Sequence, residues 1–231
     1  MSAVGVAAAR PADPRVGGGS RPTTALHDLR VVPMPVRVAK ALLVPRHYLH
    51  SVPGGTQFAF GVFVGARLLG ALTLGVGPKN GHRLVAGAVP ADAVTLTRLW
   101  LADRLPPNSE SRVLGIVLRD LRRHTSLRFV LSYADPAHGH VGTIYQATNW
   151  IYTGLSESPP LYDLGDGIPR HSRSLGHAYG TRSVAHLRAQ GIAVRLIEQG
   201  GKLRYLFPLD PAIRGRLTVP VIAYPKRENP S

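Results

Sequence analysis

Asp135, His138, His140, Tyr145 and Asn149 all fall within VLSYADPAHGHVGTIYQATNWIYTG, residues 130–154. A carboxylate, two imidazoles, a phenol and a carboxamide at one strand-to-helix junction are groups that hold, orient and move protons near neutral pH. A helix that only packs against a core needs none of them. Asp135 precedes Pro136, so it also fits an ordinary turn and N-cap residue. A second pair, His47 and His50 in PRHYLHS, stands at i, i+3. On a helix that spacing turns both rings toward one metal ion or one substrate. No third ligand is identifiable beside them, so a metal ion remains a possible but unassigned cofactor.

These groups need a scaffold. Residues 1–27, centred on VGGGSRP, are rich in Ala, Gly, Pro and Ser and read as a disordered tail. Residues 28–231 read as a single catalytic domain with a basic insert at about 165–192. The pattern changes at Leu29, and VRVAKALLVPRHYLH, residues 36–50, has apolar residues at helical spacing, interrupted by Pro45. Two β-rich runs, 57–64 and 68–76, predict a hairpin, and VTLTRLWL, 94–101, predicts a further strand. In that strand Arg98 alternates onto the face of Leu96 and Trp100, where a charged residue needs a carboxylate or phosphate partner. The next segment, 111–124, has a helical stripe of Val113, Leu114, Val117, Leu118 and Leu121, with Asn108 or Ser109 as its cap. The strand starting at Phe129 then leads into a helix that carries Tyr145 and, one turn on, Asn149 on the same face. Beyond Gly154 the chain is irregular, with a short helix over 183–190, and IAVRLIE and LRYLFPL around QGGK predict a closing hairpin. The order of elements predicts an α/β fold, a mixed central sheet flanked by helices.

Composition narrows the chemistry. The 231 residues include no cysteine, which excludes disulfides, thiolate metal sites, cysteine nucleophiles and the zinc-dependent base deaminases. The net charge is +15, from 28 Lys and Arg against 13 Asp and Glu. Codon usage in a GC-rich genome accounts for arginine over lysine, but not for the scarcity of acids. Such a surplus favours a polyanion, with double-stranded DNA the leading partner. Arg98 and, in RHSRSLGHAYGTRSVAHLRAQG, Arg173, Arg182 and Arg188 are the candidate nucleic-acid contacts. No apolar run reaches transmembrane length, and Val4 to Ala9 is too short for a signal segment, so a soluble intracellular protein without a membrane partner is expected.

The order of elements resembles the GNAT superfamily of N-acetyltransferases. In that superfamily a strand feeds an Arg/Gln-x-x-Gly-x-Gly/Ala loop at a helix start, where unpaired N–H groups and the dipole hold the pyrophosphate of acetyl-CoA. The matching segment here is PNSESRVLG, residues 107–115, with serines where glycines are expected. The resemblance implies acetyl-CoA or a related acyl-CoA as cofactor, bound by Asn108, Ser109, Ser111, Arg112 and Asn149. A closer resemblance, over about 47–154 together with KLRYLFPL, is to the Mom family of phage DNA-modification proteins. It implies a transferase that adds an acetamido (methylcarbamoyl) group to the exocyclic amine of adenine in phage DNA, protecting it from restriction in the cytoplasm of the infected bacterium. It further implies Tyr145 as proton donor to the departing CoA sulfur and Asp135 as the group that deprotonates or orients the amine. His47 and His50, from their own spacing, are added to this set as candidate catalytic residues.

Other readings compete. An adenine methyltransferase holds the flipped amine with Asp/Asn-Pro-Pro-aromatic; here Asp135-Pro136 is followed by Ala137 and His138. A basic nucleic-acid-binding protein explains the charge but not the titratable cluster. An acetyltransferase acting on a small amine explains the cluster but not the charge.

Overall fold

The computed structural model describes residues 26–226, so nearly all of the expected tail lies outside the described residues. The two apolar runs form the hairpin β2 (Thr56–Val64) and β3 (Arg67–Gly75). β1 (Leu29–Pro33) adds antiparallel to β2, and β4 (Ala93–Leu101) adds antiparallel to β3. β5 (Phe129–Ala134) then lies parallel to β4. β6 (Ile151–Leu155) and β9 (Leu203–Pro208) complete a sheet of order β1-β2-β3-β4-β5-β9-β6. The mixed α/β architecture expected from the order of elements is the one the chain adopts.

Helices α1 (Val36–Leu43) and α2 (Ser109–His124) cover opposite faces. On the α2 side, Val113, Leu114, Val117, Leu118 and Leu121 pack on Leu72, Leu74, Val94, Leu96 and Val130. Each such side chain stabilises the fold by about 1.5–3 kcal/mol. On the other face Ala39 and Leu43 of α1 meet Ala59, Ala71 and Trp100.

Residues 29–33, to which the sequence assigned no element, form an edge strand, and the helical run stops at Leu43, ahead of Pro45. Two expectations are corrected. The helix after β5 shrinks to one turn, α3 (Thr143–Gln146), and the chain continues into β6. Gly142 (φ 75°) and Asn149 (φ 60°) bound that turn in left-handed backbone, and the β-branched and aromatic Ile151, Tyr152 and Thr153 favour a strand. The closing hairpin does not form either. β8 (Arg195–Ile197) pairs with β7 (Leu161–Asp163), whereas β9 inserts between β5 and β6. Buried on both faces, β5 cannot leave its outer backbone groups unpaired, and β9 satisfies them.

Between β6 and β9 stands a small lobe, β7, α4 (Ser172–Tyr179), α5 (Val184–Ala189) and β8, around its own core of Leu175, Leu187 and Val194. The Asp163 carboxylate ties it together, accepting from Gly165 N (3.0 Å), Gly167 N (2.9 Å) and Arg195 Nη2 (3.0 Å). No helix of the described residues is long and apolar enough to cross a membrane.

Candidate active site

The only parallel pair of the main sheet is short. Residues Ala93 to Thr95 of β4 pair with Phe129 to Leu131 of β5, and the pairing stops there. Each strand continues, but against its other neighbour: β4 stays on β3 as far as Leu101, and β5 stays on β9 as far as Ala134. The strands therefore splay, and Asp135 follows directly at the open end.

Asp135 is anchored twice. Its Oδ1 accepts from Ala137 N at 3.1 Å, and its Oδ2 lies 2.9 Å from Lys202 Nζ and 3.4 Å from His138 Nδ1. Burial pushes the carboxyl up, but the hydrogen bond and charge of Lys202 outweigh this and hold it below the usual carboxylate range. It is an ionised acceptor. Lys202 arrives because β9 starts one residue later, with Leu203 opposite Ala134.

A second set of side chains comes from the turn after α1. His47 and His50 do not share a helix face, because α1 ends at Leu43 and Pro45 stops its continuation. His47 is buried, and its Nδ1 accepts from Leu49 N at 3.1 Å, which assigns its proton to Nε2. Burial, followed by the nearby charges of Arg98, His140 and His50, lowers its pKa to about 4, so the ring is neutral at pH 7. His50 differs: its Nδ1 donates to the Val44 carbonyl at 3.1 Å. Tyr48, between them, stacks on His47 with centroids 4.5 Å apart and meets His138 at 4.8 Å and His140 at 5.5 Å. The structure thus joins residues 47–50 to residues 135–140. Among the described residues no three His, Asp or Glu side chains gather as a metal site.

Arg98 belongs to this cluster, but not on the face expected. β4 carries an irregularity opposite Thr73 and Leu74, which pair with Arg98 and Leu96 and leave Thr97 extra. That bulge switches the alternation, so Leu96 and Leu99 face α2 while Trp100 packs toward α1. The Arg98 guanidinium bonds the Ser51 carbonyl (2.6 Å), Ser51 Oγ (3.1 Å) and the Thr97 carbonyl (2.6 Å), so its donors clamp the loop that carries the histidines.

Tyr145 lies beneath β5, buried among Trp150 and Tyr205. Ser132 Oγ donates to its hydroxyl at 2.8 Å, leaving the phenol proton itself uncommitted. Burial pushes this phenol up to about 12. Asn149 does not share its face. It lies in a separate cleft of about 510 Å³, beside Gly115, Arg119, Arg122, Phe207 and Arg214. At the start of α2, Asn108 is left-handed (φ 67°) and no side chain caps the first turn. Ser109 Oγ donates to the Pro106 carbonyl at 2.6 Å, so it secures the loop. Ser111 is half-buried and Arg112 exposed.

In the lobe, Arg182 is exposed and lies across Gly176, and Arg188 donates to the Val194 carbonyl at 2.8 Å. The Arg173 side chain lies outside the described residues. Tyr48 and Lys202 were not singled out from sequence. Tyr48 sits inside the His-x-x-His heptapeptide, and Lys202 is one of only four lysines, which are the signals available.

A family model described as the Mom protein family matches residues 28–226. The methylcarbamoylase mom of Escherichia phage Mu is 32% identical over 219 residues, covering 91% of this chain and 87% of that protein. Among solved structures, spermidine N-acetyltransferase from Vibrio cholerae in complex with CoA and spermine aligns at a TM-score of 0.47 and 8% identity, over 79% of this chain and 96% of that one. Aminoglycoside acetyltransferase AAC(6')-Ib with coenzyme A aligns at 0.48 and 8%, over 78% and 94%.

Proposed function

The chain belongs to the Mom protein family, and on that premise we propose that it is a transferase of phage DNA. It adds a methylcarbamoyl (acetamido) group to the exocyclic amine of adenine, inside the infected bacterial host, and so shields the DNA from restriction. The relative that carries the name methylcarbamoylase matches over nine-tenths of this chain, which supports the same activity here.

The observation that carries the reading is Asp135 at the open end of the β4–β5 splay, ionised and bound to Lys202. An ionised carboxylate only accepts hydrogen bonds. It suits the amine at adenine N6 and repels the oxo groups of guanine and thymine. As the new N–C bond forms, the amine must shed a proton. Asp135 orients it and is the carboxylate placed to accept that proton. His47, neutral and protonated on Nε2, serves as a donor, and Arg98 holds the loop beneath it.

An acyl-CoA fits the first turn of α2, whose N–H groups have no side-chain cap, with Ser111 and Arg112 beside them. Bound there, an acyl-CoA would present its thioester to the amine; acyl transfer from it releases the thiol but does not by itself supply the amide nitrogen of an acetamido group. Tyr145, kept protonated by burial and bonded to Ser132 of β5, is the phenol that would donate to a leaving group. Arg182 in the lobe is the exposed candidate for a DNA phosphate.

The test is mass spectrometry of nucleosides from DNA of cells expressing the protein. An adenosine adduct carrying one acetamide unit is expected. Adenosine without any adduct sinks the reading.

A further inference from the structure

The rings around Tyr48 have no packing task that accounts for them. Tyr48 is 44% exposed, yet it touches His47, His138 and His140 at 4.5, 4.8 and 5.5 Å. These rings come from two separate segments, 47–50 and 135–140, which meet at the surface. The ionised neighbours whose field reaches the Tyr48 phenol are Lys202, Asp135 and Arg98. Beside these rings lies the Asp135 side chain, only 15% exposed, with its Oδ2 3.4 Å from His138 Nδ1 and 2.9 Å from Lys202 Nζ.

This depth decides how a base can arrive. An adenine amine inside a duplex lies in the major groove, flush with the stacked pairs. A carboxylate whose side chain is only 15% exposed cannot meet it there. We propose that Tyr48 is the centre of an aromatic cradle that receives one adenine unstacked from the duplex, with its exocyclic amine turned down to Asp135. The proposal rests on the adenine-modifying reading above and adds the form in which the base is bound. Any base has a π-face, so the rings supply affinity, while the carboxylate selects an amino over an oxo edge. Lys202 and Arg98 make the surround electropositive, which suits the phosphates flanking an extruded nucleotide.

The experiment has two readouts. The first is a duplex oligonucleotide carrying 2-aminopurine at a modified adenine position, whose fluorescence rises when that base leaves the stack. The wild-type protein is expected to raise it, Tyr48→Ala and Tyr48→Leu to abolish the rise, and Tyr48→Phe to recover most of it. The second is adduct yield in DNA from expressing cells. It should fall roughly tenfold to a hundredfold in the Ala and Leu variants, the span expected for loss of one base–aromatic stack, and recover with Phe. An abasic site opposite the target, which lowers the cost of unstacking, should partly rescue Tyr48→Leu. Tyr48 is exposed, so melting temperatures should stay near wild type. Wild-type adduct yield from Tyr48→Leu, or a fluorescence rise as large as wild type, overturns the cradle alone. A wild-type protein that makes no adenine adduct overturns the proposed function beneath it.

Discussion

Replacing Asp135 by asparagine removes a charge and little volume, so activity and fold should separate. Lys202 is partly exposed and tolerates the loss, and the asparagine can still accept from Ala137 N, so stability should move by about 1 kcal/mol, the scale of a cap change. Tyr145→Phe keeps the ring between Trp150 and Tyr205 and removes the hydroxyl. It should lower the modification rate by about 10²–10⁴, the range for a lost general acid. Nucleoside mass spectrometry beside a melting curve checks both, and full adduct yield from either removes that residue from the chemistry. His47 gives a pH test. Its pKa falls from 6.5 unfolded to about 4 folded, so between these values the unfolded chain binds the extra proton. Stability therefore rises with pH through that window, is fully present above about 6.5, and is lost as pH falls toward 4. Two and a half units correspond to roughly 3 kcal/mol as an upper bound. The melting temperature of His47→Gln should lose most of that slope between pH 4 and 6.5; an unchanged slope assigns it elsewhere. At this scale the sequence was informative where chemistry is local. Asp135, His138, His47 and His50 are visible as residue types in short motifs. Lys202 is not, because only the β5–β9 register brings it beside Asp135.

Elements set the angles at which these residues meet. Gly142 begins α3 at φ 75°, and a Cβ there would come within 2.5 Å of the buried Tyr205 ring. Tyr205 cannot swing aside, because its hydroxyl donates to the Val141 carbonyl at 2.6 Å. Gly142→Ala should cost about 1–3 kcal/mol from overpacking, with the left-handed backbone adding to it, and should displace Tyr145. Thermal unfolding measures it, and a wild-type midpoint would contradict the packing described. The lobe should behave differently. Ser156 N donates to the Lys202 carbonyl at 2.8 Å, so the two ends of the lobe are already side by side. Replacing 158–200 by a short Gly/Ser turn should leave the main sheet folded while duplex binding weakens; gel shift and circular dichroism report the two separately. Loss of the fold would mean that the lobe is part of the core. Runs of one periodicity, such as β2, β3 and α2, were legible in the sequence. The Thr97 bulge and the one-turn α3 were not, because each follows from register against a distant strand rather than from its own residues.

For the whole molecule, net charge is the dominant property. With +15 spread over 231 residues, affinity for duplex DNA should fall steeply with salt, as arginines displace counterions from the backbone. Six phosphate contacts would correspond to a loss of about 10³ between 50 and 200 mM salt. Filter binding across that range measures it, and a flat profile removes the polyanion interpretation. Composition revealed this much. It did not reveal that Arg98, Arg122 and Arg188 spend donors on backbone carbonyls, so that part of the excess builds the fold.

The position of β9 between β5 and β6 also sets a timetable. Chains emerge from the ribosome N-terminus first. β6 is made about fifty residues before the strand that must flank it, and Asp135 well before Lys202. Until residues 202–208 arrive, β5 lacks one of its two neighbours, β6 has none, and the carboxylate lacks its counter-ion. A growing chain that has not reached Lys202 therefore lacks the Asp135–Lys202 pair. Completion of the sheet and completion of the site are the same event, and a product truncated before Lys202 would be inert as well as unfolded on that side.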